Sequence, residues 1–146
     1  MKQALENTIA KWMLIAFTEL GQSEIRGATH NDRIIEYHSV TTLEAKEDEV
    51  PWCSSFVSWC LEKSGISSTK SAWARSYLSY GKEVTDPTYG TICVFSRGEN
   101  SGHVGFYFDE DDTHIHLLGG NQKDKVSLTR YPKSRLLAYR EPILNM

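Results

Sequence analysis

Near the start of the chain apolar residues fall at Leu5, Ile9, Trp12, Met13, Ala16, Phe17 and Leu20, a single stripe with the period of a helix. The pattern predicts a helix with one buried face that ends near Gly21, a residue suited to a left-handed C-cap. A loop, SEIRGATHND, leads to a short second helix over Arg33–Ser39, and EAKEDEV forms a charged surface connection closed by Pro51. In CSSFVSWCLEKSG the apolar residues Phe56, Val57, Cys60 and Leu61 recur at helical spacing until Gly65 stops them. A further helix is predicted over Ala72–Tyr80, with Ser71 as N-cap and Gly81 as its end.

After Gly81 the period changes. TICVF reads as a strand and SRGENSG as a polar loop, and HVGFYF and HIHLL are two strands joined by the turn DEDDT. KVSLTRY and RLLAYR supply two more, with Pro132 between them. Helices first and an antiparallel sheet second define an α+β fold. No repeat or low-complexity segment divides the chain, so residues 1–146 read as a single domain.

Composition narrows the function classes. Hydrophobic residues make up 40% and charged residues 24% of 146, enough for a core without covalent staples. The net charge is −3, and the 16 Lys and Arg are scattered, which argues against nucleic acid and against an anionic membrane surface. No stretch is long enough to span a bilayer. The run WMLIAF is short, is preceded by Glu6 and has no small-residue cleavage site after it, so the N-terminus reads as a core helix rather than a signal peptide. Three cysteines argue against a disulfide framework and for synthesis in the reducing cytoplasm.

The candidate chemistry begins at Cys53, which opens the third predicted helix. Unpaired N–H groups and the positive end of the helix dipole favour a thiolate there and can hold an oxyanion. Cys60 lies on that helix's apolar stripe and Cys93 within a strand, both ordinary core positions. A thiol needs a base, and among the five histidines His103 begins a strand after a glycine-containing loop, in SGHVGFYF. The returning strand HIHLL ends in GGNQ, which brings Asn121 back beside His103 as the group that sets its tautomer. His116 is the rival for this third role, in mid-strand and expected opposite Gly105 or Tyr107. A zinc site from His103, His114, His116 and Cys93 matches no established ligand spacing, so no metal is expected.

At these residues the chain resembles the papain-like cysteine peptidase–amidases of the CHAP and NlpC type, in particular their small single-domain phage-type members. The resemblance rests on PWCSSFVSWCLEKSGI, GTICVF, SGHVGFYF, LGGNQ and AYREP, with ELGQSEIRGATHNDRIIEY before them. It implies a papain-like α+β fold with the nucleophile at a helix N-terminus, packed on a sheet that carries the base. It also implies peptidoglycan as substrate and no cofactor, with Cys53 as nucleophile, His103 as base and Asn121 as orienting residue. Where the family often carries Asp, in a GDIVVF-like strand, this chain has Thr91. Trp52, Asp48, Glu49 and, more weakly, Gln122 and Glu36 are the candidate substrate-binding residues.

The expected reaction is hydrolysis of an amide bond of the wall peptide through a thioester, as an endopeptidase or N-acetylmuramoyl-L-alanine amidase. The setting is that of a phage lysin with its holin, or of an antibacterial effector with a secretion machine and an immunity protein. Either acts in the periplasm or at the cell wall. The alternatives are a papain-like protease or deamidase acting on proteins, and a catalytically idle binding module on the same scaffold.

Overall fold

In the computed structural model, which describes residues 11–25, 31–41, 52–99 and 101–143, the first helix (α1) is described over residues 11–18 and the chain turns at Gly21 with φ +94°. Trp12, Met13 and Ala16 are buried as the stripe requires. Leu20 departs from it: it falls past the last helical residue and is exposed. Helix α2 spans Asp32–His38, one residue earlier than expected, because the side chain of Asn31 accepts the Arg33 N–H as an N-cap. Helix α3 spans Cys53–Lys63 and is buried along nearly its whole length.

The segment predicted as a helix over Ala72–Tyr80 is instead a 3-10 helix, Ala74–Ser79. The Ser71 hydroxyl accepts the Trp73 N–H at 3.0 Å, a local turn that starts the helical stretch later. Six strands follow: β1 Lys82–Val84, β2 Ile92–Ser96, β3 Gly102–Glu110, β4 His114–Gly119, β5 Ser127–Pro132 and β6 Leu136–Glu141. They form one antiparallel sheet in the order β1-β6-β2-β3-β4-β5. Strand β1, absent from the expectation, is a three-residue edge that no period-2 pattern could reveal.

Alternation along the strands sorts two cores. Ile92, Val94, Val104, Phe106 and Leu118 pack with the helices. Cys93, Phe95, Ile115 and Leu117 form a second cluster with Tyr107, Tyr131, Leu136 and Tyr139. In the register of β2 and β3, Phe95 lies opposite His103 and Cys93 opposite Gly105. Between β3 and β4 the pairing runs Phe106 to Leu118 and Tyr107 to Leu117, then jumps to Asp109 and His116. Phe108 is the extra residue of this bulge. Among the described residues no helix is long and apolar enough to cross a membrane.

Candidate active site

Cys53 is the first residue of α3, and Trp52 before it offers no side-chain cap. The N–H groups of the first turn are therefore not consumed by a capping oxygen. Burial raises the Cys53 thiol above its ordinary value, while the N–H groups of Val104, Ser54 and Cys53 itself and the charge of Arg97 pull the other way. The Val104 contribution brings the sulfur to the start of β3, one residue from His103. Ser54 donates to the Ser71 carbonyl at 2.7 Å, which pins the segment leading to the exposed Trp73 beside the same helix end.

His103 is fully buried. Its Nε2 lies 2.9 Å from Oε1 of Gln122. The Gln122 amide nitrogen donates to the carbonyls of Leu117, at 3.2 Å, and Ser127, at 2.7 Å. Those two bonds fix which end of the carboxamide is oxygen, so the imidazole must carry its proton on Nε2. Nδ1 then holds the lone pair, and it has no hydrogen-bond partner among the described residues. Burial first, and Arg97 second, lower the imidazole to about 3, against a rise from the Gln122 bond. Burial thus acts in the same sense on both groups, against the thiolate and against the imidazolium.

The position expected for Asn121 belongs to Gln122. Asn121 has φ +56°, and Lys123 and Asp124 are also left-handed, at +56° and +63°. An asparagine tolerates that conformation better than most residues. Its place here is to turn the chain so that the next side chain points inward. Room for that side chain comes from Gly119, where a Cβ would stand 2.6 Å from the Gln122 oxygen; a Cβ on Gly120 would instead stand 2.7 Å from Phe56 Cβ and Trp52 Cζ3, so that glycine lets the turn pack on the core. Gln122, weighed as a substrate contact, is thus buried and bonded to the base instead.

His116 is not near His103. The bulge at Phe108 sets it opposite Asp109, and its Nε2 bonds Asp111 Oδ2 at 3.0 Å. Asp111 is also held by Arg130 at 2.8 Å, and His114 faces the same carboxylate at 4.0 Å. Among the described residues no group of three or more His, Cys, Asp or Glu side chains could hold a metal ion. Trp52, a candidate substrate-binding residue, is fully buried against Tyr37, and its indole donates to Glu24 at 2.8 Å. Glu36 accepts from the Trp59 indole and from Arg33, tying α2 to α3. Asp48 and Glu49 lie outside the described residues. Thr91 accepts the Thr88 N–H at 2.8 Å and donates to Glu141 at 3.3 Å, so a hydroxyl holds this turn and a carboxylate reaches it from β6.

Two residues that sequence reasoning missed complete the surroundings. The Tyr131 ring lies over the His103 imidazole, with centroids 4.7 Å apart and planes at 21°, and its centroid is 5.2 Å from that of Phe95. Arg97 donates to the Tyr131 hydroxyl at 3.3 Å. Strand KVSLTRY gave no sign of this, because the contact depends on how far β5 runs beside β4.

Comparison with known proteins bears on this geometry. The model of the CHAP domain matches residues 45–121, just over half the chain. No curated protein matches the sequence. A solved structure described as similar to a lipoprotein of the NLP/P60 family, from Staphylococcus aureus, superposes with a TM-score of 0.59 at 17% identity over 94% of this chain. This chain spans 42% of the length of that protein, so the likeness speaks to the shared papain-like α+β fold.

Proposed function

Because the chain belongs to the CHAP domain family, whose members are peptidoglycan hydrolases, we propose that it cleaves an amide bond of the wall peptide with Cys53 as nucleophile and His103 as base. The observation that supports this best is the His103 ring itself. Its Nε2 is fixed by Gln122 and its basic Nδ1 is buried and unbonded among the described residues, while the Cys53 sulfur lies at the backbone of Val104, the next residue along β3.

The steps follow from the charge state. Nδ1 takes the thiol proton as sulfur attacks the amide carbonyl, since burial makes a standing thiolate–imidazolium pair unfavourable. The N–H groups at the start of α3 receive the oxyanion. The imidazolium returns its proton to the leaving amine, which departs and leaves a thioester. His103 then takes a proton from water, which attacks the thioester and releases the acid and the thiol. Gln122 keeps the proton-bearing nitrogen in place throughout. Under this reading the protein acts in the periplasm or at the cell wall, as a phage lysin or a delivered antibacterial effector.

Purified sacculi incubated with the protein should release fragments whose masses name the bond, and Cys53→Ala should release none. Wild-type protein that leaves sacculi intact while cutting a denatured protein would replace this reading with a protease.

A further inference from the structure

Arg97 stands on the loop between β2 and β3, and its surroundings give it a use. Its Nη2 donates to the Tyr131 hydroxyl, and that ring lies flat on His103, so the guanidinium is one phenol ring away from the base. Its charge is felt at Cys53, His103 and Tyr131 alike. It is exposed and forms no ion pair among the described residues.

The neighbouring Arg75 is fully committed. It donates to the carbonyls of Ser101 and Gly98, at 3.1 Å and 2.7 Å, and so latches the loop from outside. The backbone closes the same loop through Arg97 N–H and Ser101 O at 2.9 Å. A fastened loop therefore holds out an unneutralised cation beside the nucleophile. Because the Tyr131 oxygen accepts from Arg97, its own O–H remains available to donate. A planar guanidinium with an adjacent hydroxyl donor matches the two oxygens of a carboxylate.

We propose that Arg97 and the Tyr131 hydroxyl form a carboxylate-binding fork at the rim of the site, selecting peptides with a free carboxylate next to the scissile amide. The inference rests on the wall-peptide reading above. A peptide carboxylate and the carboxamide made from it differ by a single charge, so the fork should tell the two apart.

The test uses the full chain as Cys53→Ala, titrated calorimetrically with one stem peptide in its free-acid and carboxamide forms. The acid should bind about 10- to 100-fold more tightly, the range of one charge-assisted hydrogen bond, and added salt should narrow the gap. Arg97→Met in the same background should bring the two affinities together, while Arg97→Lys should keep part of the difference. Circular dichroism of each variant shows that it is folded. Equal affinities, a preference that survives Arg97→Met, or no binding of either peptide would overturn the fork. Sacculus digestion by the active protein separates the two ideas. Digestion without a carboxylate preference sinks the fork alone, and a preference without digestion sinks the wall reading alone.

Discussion

Replacing Gln122 with alanine takes away the bond to His103 Nε2 and the two bonds that hold the carboxamide to Leu117 and Ser127. At a net worth of roughly 1 kcal/mol each, the three losses cost about 3 kcal/mol of stability. The catalytic cost is separate. A freed imidazole can turn, or carry its proton on Nδ1, and only the wild-type tautomer presents a lone pair to the thiol. Losing one aligned hydrogen bond in the transition state is worth about 1.4 to 3 kcal/mol, so kcat should drop about 10- to 100-fold. KM should move little, because Gln122 is buried and bonded to the base. The assay is steady-state hydrolysis of a soluble stem peptide at a temperature where circular dichroism shows the variant folded. Asn121→Gly is the contrast: glycine accepts φ +56° without strain, so kcat should stay within about twofold of wild type. A folded Gln122→Ala with unchanged kcat, alongside a crippled Asn121→Gly, would refute the assignment and return the orienting role to Asn121.

Other outcomes follow from the same geometry. Cys53→Ala should abolish hydrolysis and keep the fold, whereas Cys60→Ala and Cys93→Ala should keep activity and lose about 1 kcal/mol in urea unfolding. His103 is held neutral down to about 3 against an ordinary 6.5, so the unfolded chain takes up a proton that the fold refuses. Stability is therefore fully present above about pH 6.5 and lost on acidification toward 3, and the urea midpoint should fall less over that window in His103→Gln. Burial holds the Cys53 thiol above its ordinary value, so the rate of iodoacetamide labelling should still be rising at pH 9. A rate already level at neutral pH would mean a standing thiolate. Activity should withstand EDTA, and loss restored by zinc would overturn the metal-free mechanism.

The helix start at Cys53 and the strand start at His103 were legible because each rests on local information. An apolar stripe stopped by Gly65 defines the one, and alternation after a polar loop the other. The third residue was legible only to within one position. Hairpin reasoning brings the GGNQ segment to the right place, but which side chain turns inward depends on three left-handed residues that no hydrophobic pattern encodes. The choice of Asn121 gave weight to its resemblance to other Cys-His-Asn sets. Its preference for the left-handed region was the better signal. His116 was misplaced for a similar reason, since the bulge at Phe108 shifts the register without leaving a mark in the alternation. Trp52 looked like a substrate-binding residue because it adjoins the nucleophile in sequence. A helix start turns neighbouring residues in different directions, and this one goes into the core.

The paired glycines at the end of β4 have a consequence for anyone wishing to move this chemistry elsewhere. Neither Gly119 nor Gly120 carries a functional group, yet Gly119 guards the volume that the Gln122 carboxamide occupies and Gly120 the volume of Phe56 and Trp52. A transplant that copied only the sulfur, the imidazole and the carboxamide onto another scaffold would arrive with the instruments and without the room to use them. Saturation mutagenesis should accordingly register two intolerant sites where a search for reactive groups sees nothing. Part of what this protein needs for catalysis is thus written as omission, and a blueprint of the site must specify vacant space as strictly as atoms.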